Sequence, residues 1–291
     1  MKQMAFHLTS EAEGMKLLHF LKSECKESFS VKAIKRAIDS KRCYLNGRIE
    51  TLSTRRLHSG DRIAIALALK RGENILSILY EDEHFLALNK PPGLVCDNRL
   101  IQKKFKRALK LIHRLDKETS GVLLLAKNER FREQMVLLFR QRRIAKSYYA
   151  LASGSLMPQE GRCESFLARV GMRHGQVLWG SVEKEKGAFA STAWRVIKRT
   201  KIATFLELKP LTGRTHQLRV HLKELGHPLL GDVHYGNTSF LCPIQVSRNL
   251  LHAASLEFIH PQTLQKVGIQ APLPQDFQEA LKELSRWPSS F

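Results

Sequence analysis

The run His113-Arg114-Leu115-Asp116-Lys117-Glu118-Thr119-Ser120-Gly121 passes directly into Val122-Leu123-Leu124-Leu125-Ala126. Hydroxyl residues and a glycine before five apolar residues predict a turn over 119–121 that feeds a short buried strand over 122–126. One carboxylate, Asp116, sits two residues after Arg114. A buried aspartate beside an arginine stays ionised, because the opposite charge outweighs desolvation. Such a carboxylate can act as a nucleophile or as a base. Taken alone, an Arg-x-Asp step is far more often a surface ion pair than a reactive centre.

Upstream, residues 75–79 and 85–88 read as strands around the acidic solvated turn Glu81-Asp82-Glu83. Asn89-Lys90-Pro91-Pro92-Gly93 ends the second strand, since two prolines cannot continue a ladder. Residues 99–110 form a basic segment whose structure the pattern does not decide. Downstream, 129–141 has helical spacing at Phe131, Met135, Leu138 and Phe139, all expected in the core. The cluster Arg140 to Lys146 follows as a helix end facing solvent or phosphate. Strand-like runs continue at 147–152, 192–197 and 204–208. This alternation predicts an α+β domain with a mainly antiparallel sheet over residues 74–291.

Residues 70–74 read as a linker to a small α+β domain over 1–73. Within it, 14–38 predicts two short helices, and Lys32, Lys35 and Arg36 decorate the second. Asn46-Gly47 and Ser59-Gly60-Asp61 are turns, and 63–69 is an apolar strand.

The net charge is +21, with 15 Lys+Arg against 8 Asp+Glu in residues 1–73 and 33 against 19 in the rest. Both parts are therefore basic. Lys and Arg gain affinity by displacing phosphate counterions, so a polyanionic partner is expected across both. No run approaches the roughly 20 apolar residues of a membrane span, and the start lacks an export signal. Cys25, Cys43, Cys96, Cys163 and Cys242 are odd in number and widely spaced, offering neither a disulfide framework nor a zinc knuckle. A reducing cytoplasm is the expected location.

His113-Arg114-Leu115-Asp116, with Thr119-Ser120-Gly121 and Ala126, resembles the signature of the RluA-type pseudouridine synthases. Five further elements resemble that family's motifs in order. They are Leu79-Tyr80-Glu81-Asp82 with Asn89-Lys90-Pro91-Pro92-Gly93; Lys146-Ser147-Tyr148-Tyr149-Ala150; and Leu211-Thr212-Gly213-Arg214-Thr215-His216-Gln217-Leu218-Arg219-Val220-His221-Leu222. Gly226-His227-Pro228-Leu229-Leu230-Gly231-Asp232 follows, then Leu251-His252-Ala253 with Phe258-Ile259-His260-Pro261. The basic helix, "Leu-Asn-Gly-Arg" and "Ser-Gly-Asp-Arg-Ile" of residues 1–73 resemble the small S-four-like RNA-binding domain, whose basic helix face rests on phosphate.

The resemblance implies an isomerase that converts uridine to pseudouridine in RNA, with large-subunit ribosomal RNA as the expected substrate. Transfer RNA is the alternative, as is a non-catalytic RNA-binding or ribosome-assembly factor. No atoms are gained or lost, so no cofactor or metal is expected. The family also implies a monomer. Asp116 corresponds to its catalytic aspartate, and Tyr148 to the tyrosine that stacks on the base, with Tyr149 competing for that role. Consecutive strand residues point to opposite faces, so only one of the two can face a pocket. Arg214 corresponds to the arginine that pairs with the aspartate, with Arg219 as the other candidate. Arg114 corresponds to the residue that fills the gap left by the flipped nucleotide. His216, His221, His227 and His234 are not spaced as a metal set, and a metal-dependent phosphodiesterase finds no ligand cluster.

Overall fold

The computed structural model describes residues 2–25, 29–39, 42–67, 76–173, 175–236, 244 and 246–286. The chain divides into two compact units, Met1–Ile75 and Leu76–Phe291. The expected linker, 70–74, lies outside the described residues.

The first unit comprises β1 (Lys2–His7), α1 (Leu17–Glu24), α2 (Val31–Asp39), β2 (Cys43–Leu45), β3 (Arg48–Ile49) and β4 (Arg62–Leu67). An antiparallel sheet in the order β1-β4-β2-β3 carries the two helices. Leu17, Leu21, Ile34 and Ile38 bury against Ile63, Ile65 and Leu67. Asn46 and Gly47 both hold positive φ, as a tight hairpin between right-twisted strands requires. Sequence spacing does not reveal β1, because its partner β4 lies more than fifty residues away.

The second unit runs β5 (Ser77–Glu81), β6 (Phe85–Lys90), α3 (Asn98–Phe105), β7 (Lys110–Leu111), β8 (Ser120–Ala126), α4 (Glu129–Arg140), β9 (Ala145–Ser153), β10 (Glu160–Arg173), β11 (Gln176–Val182), β12 (Ala188–Arg199), β13 (Ala203–Pro210), α5 (Gln217–Glu224), β14 (Leu251–Ile259), β15 (Lys266–Gln270) and α6 (Gln275–Ser285). Its sheet follows the order β11-β10-β12-β13-β9-β14-β8-β6-β5, with β15 on β14 and β7 on β8. Every pairing is antiparallel except β8 with β14. The fold is thus α+β with a mainly antiparallel sheet, as expected.

Every residue of β8 is buried. Val122, Leu124 and Ala126 face a core with Phe131 and Met135, while Leu123 and Leu125 face another with Leu86, Leu88 and Ile101. A strand covered on both faces is apolar throughout rather than alternating. The expected turn over 119–121 is displaced: the Thr119 N–H closes a turn on the Asp116 carbonyl at 3.1 Å, and Ser120 and Gly121 already belong to β8. The basic segment resolves into α3, whose N-terminus is capped by the Asp97 carboxylate. The long β10–β11 hairpin and α6 are not evident from local pattern.

Candidate active site

Asp116 lies in the loop between β7 and β8, on an open pocket of about 1050 Å³ within the second unit. Both ends of the loop are tied down. On the entering side, the Leu124 N–H donates to His113 Nε2 at 3.0 Å. Burial pushes His113 down to about 4, which keeps the ring a neutral acceptor. On the leaving side, the buried Lys90 ammonium donates to the carbonyls of Pro91, Leu94 and Lys117 at 3.1, 3.0 and 3.1 Å. The Gly93 N–H shares the Lys117 carbonyl at 2.7 Å. Arg248 grips the Asp276 carboxylate at 2.7 and 2.9 Å and donates to the Glu118 carbonyl at 3.0 Å. Gly121 then passes so close to β14 that a Cβ would stand 2.1 Å from the Ala253 carbonyl oxygen. The motif residues around Asp116 therefore build a rigid mount.

A second layer charges that mount. Arg219, on α5, donates from Nε and Nη2 to Asp232 at 2.7 and 2.8 Å, while its Nη1 faces Asp116 Oδ2 at 3.8 Å. The Arg219 side chain is 5% exposed and that of Asp232 0%, against 29% for Asp116. Asp232 is held below the usual carboxylate range by Arg219 and by the backbone N–H groups of Tyr235 and His234, although burial acts the other way. Gly231, just before Asp232, lets the chain pass close to the Arg248 backbone, since a Cβ there would lie 1.9 Å from the Arg248 carbonyl oxygen. The Arg219 guanidinium lies over the Tyr235 ring, 4.7 Å from its centroid. His216 Nε2 approaches Asp116 Oδ1 at 4.0 Å.

Tyr148 and Tyr149 project to opposite faces of β9. Tyr148 lines the pocket, whereas Tyr149 packs against Phe205, 5.4 Å between centroids. Burial, reinforced by Asp116, raises the Tyr148 hydroxyl above its ordinary value, so it stays protonated at neutral pH. Lys146, two residues earlier on the same face, donates to the Thr212 carbonyl at 3.1 Å and is pushed down to about 8 by burial. Arg114 is exposed at the pocket edge.

The expected Asp116–Arg214 pairing is corrected by the geometry. Arg214 lines the pocket, but its Nε donates to the Phe189 carbonyl at 3.0 Å and its N–H to Gln217 Oε1 at 2.9 Å. Arg219 holds the place beside the carboxylate. Arg214 precedes α5, whereas Arg219 projects from its first turn, one helical step beyond His216.

Asp232, His216, Tyr235 and Lys146 carry the site's electrostatics, yet spacing alone assigns them no role. The hint was Gly231-Asp232, thirteen residues after Arg219, whose significance appears only once the chain folds back. Three of the four histidines are held by separate partners. His221 binds Thr192 and Ser165, His227 the Ser153 carbonyl, and His216 the Tyr235 hydroxyl. Among the described residues, no three His, Cys, Asp or Glu side chains group as metal ligands. In the first unit, Lys35 and Arg36 are exposed on α2, and the Lys32 side chain lies outside the described residues.

Residues 84–224 match the family described as RNA pseudouridylate synthase. "Ribosomal large subunit pseudouridine synthase D" of Buchnera aphidicola is 32% identical, covering 89% of this chain and 90% of its own. The second unit alone is residues 76–291, so that similarity extends into the first. "Ribosomal large subunit pseudouridine synthase C" of Escherichia coli is 33% identical, over 71% of this chain and 69% of its own. The solved structure "Human RNA Pseudouridylate Synthase Domain Containing 4" is 30% identical with a TM-score of 0.60, covering 72% of this chain and 93% of that one.

Proposed function

The chain belongs to the RNA pseudouridylate synthase family, and on that premise we propose that it converts uridines of large-subunit ribosomal RNA to pseudouridine with Asp116 as the reacting carboxylate. The reaction breaks the bond from ribose C1′ to uracil N1 and turns the ring. It then joins C1′ to C5, removes the C5 proton and returns a proton to N1, so atoms balance within the substrate.

The observation that carries this reading is the Asp116 carboxylate, faced by two donors on the wall of an open pocket. Asp116 has Arg219 Nη1 facing one oxygen and His216 Nε2 facing the other, with Tyr148 lining the same cavity. Arg219 Nη1 sets a positive charge 3.8 Å from the carboxylate that acts as nucleophile in this reading. The Tyr148 ring offers a face on which an extruded base can stack. Exposed Arg114 at the edge suits occupancy of the gap left in the RNA, offsetting part of the few kcal/mol of flipping. The substrate assignment rests on the two bacterial relatives named for the large ribosomal subunit. The basic first unit, with Lys32, Lys35 and Arg36 on α2, supplies a phosphate-binding surface in this reading.

The protein acts in the cytoplasm in this reading, without a metal or cofactor, as a monomer. No helix among the described residues is long and apolar enough to cross a membrane.

The test is Asp116→Asn, assayed for pseudouridine formation and for affinity on ribosomal RNA. Turnover is abolished while binding changes by no more than a few-fold, since the substitution keeps shape and removes only the charge. Retained turnover in the variant would sink the assignment.

A further inference from the structure

His216 occupies a position that neither stacking nor phosphate binding explains. Its backbone holds φ +56°, ψ +14°, the left-handed region that a non-glycine residue rarely adopts. Such outliers persist where the surroundings over-determine them, often at reacting sites. Here the conformation turns the ring into the pocket wall at the start of α5.

The hydrogen-bond partners of the ring bear on its tautomer. The Trp179 backbone N–H donates to the Tyr235 hydroxyl oxygen at 2.9 Å. The same hydroxyl lies 2.8 Å from His216 Nδ1, and with one lone pair already accepting, its proton is available to that nitrogen. A neutral imidazole carries one N–H, so with the hydroxyl donating to Nδ1 the ring proton sits on Nε2. Nε2 is the atom that faces Asp116 Oδ1 at 4.0 Å, while Arg219 Nη1 faces Oδ2 at 3.8 Å. One turn of α5 thus presents a donor to each carboxylate oxygen. Both gaps exceed a hydrogen bond, as is common before substrate seats.

We propose that His216 is a positioning residue that fixes the rotation of the Asp116 carboxylate through an Nε2–H whose tautomer the Tyr235 hydroxyl dictates. This rests on the assignment of Asp116 as the reacting group. The groups facing the ring are Asp116 and Asp232, which favour its charge, and Arg219 and His234, which oppose it. Burial outweighs them all and holds His216 below its ordinary value.

Three variants test the proposal: His216→Asn, His216→Gln and Tyr235→Phe. Asparagine tolerates the left-handed backbone and keeps a side-chain partner for Tyr235, but withdraws the donor from Asp116. Turnover falls roughly 10²-fold, the scale of one lost donor, with RNA affinity and melting temperature unchanged. Glutamine places an N–H near the ε position and restores at least part of that loss. Tyr235→Phe keeps the ring beneath Arg219, and the ring-nitrogen NMR spectrum of His216 then shows both tautomers where the parent shows only Nε2–H. Wild-type turnover in His216→Asn, or an Nδ1–H tautomer in the parent protein, would overturn the proposal. Should His216→Asn not fold, the parent spectrum and Tyr235→Phe decide. Asp116→Asn is run alongside: if it is inactive while His216→Asn is fully active, only this inference fails; if it turns over, the reading of Asp116 fails instead.

Discussion

Asp232 clamps Arg219 with both carboxylate oxygens, at 2.7 and 2.8 Å, and this clamp aims Nη1 at Asp116. The pair is almost fully removed from water, where losing one partner strands the other charge. Asp232→Asn therefore destabilises the fold by about 3–5 kcal/mol and lowers turnover, measured by thermal melting and by pseudouridine formation.

The same geometry separates two arginines of one motif. Arg219→Lys cannot span Asp232 and Asp116 together, since an ammonium lacks the planar fork. Its turnover drops by at least about 10²-fold. Arg214→Ala, which removes a side chain bound to a backbone carbonyl, changes turnover several-fold at most. Equal losses in steady-state assays would refute the assignment of Arg219 as the partner.

His252 makes stability sensitive to acid. Its Nδ1 accepts from Ser120, its Nε2 donates to the Ala271 carbonyl, and burial pushes it down to about 4. The folded state therefore refuses a proton that the unfolded state takes up below about pH 6.5. Stability is complete above that value and declines as pH falls towards 4, by up to about 3 kcal/mol. Denaturant titrations across this window should show the slope, and His252→Gln should reduce it, leaving the contribution of His113, which burial also pushes down to about 4.

Tyr148 is expected to contribute its ring and a protonated hydroxyl. Since burial and Asp116 raise that hydroxyl, the pH–rate profile between 6 and 9 has the same shape in wild type and Tyr148→Phe. Tyr148→Ala loses the stacking face, worth about 1–3 kcal/mol per base, and turnover falls accordingly. A limb present in the wild-type profile and absent from Tyr148→Phe would show that the hydroxyl titrates.

Removing residues 1–75 should weaken RNA binding and reduce the slope of log affinity against log salt, because that part of the chain carries about a third of the net charge. Anisotropy titrations over a salt series measure both. An unchanged slope would deny the first unit a phosphate-binding role.

Much of this was legible in order along the chain. The strand 122–126, the helix after it, the strand-like run 147–152 and the sheet class follow from local apolar pattern, which depends on neighbours two to four residues apart. Asp116 was singled out by a contiguous motif, and the choice of Tyr148 over Tyr149 was reduced to a question of which face is inward. The sequence could not choose between Arg214 and Arg219, because both lie in one motif and differ only in where α5 begins. Nor could it value Asp232, Tyr235 or Lys146, whose roles depend on chain segments folding back across the sheet. Residue type and short-range order determined what chemistry was on offer. Only the tertiary structure decided which groups share one pocket, because charge interactions act across space and not along sequence.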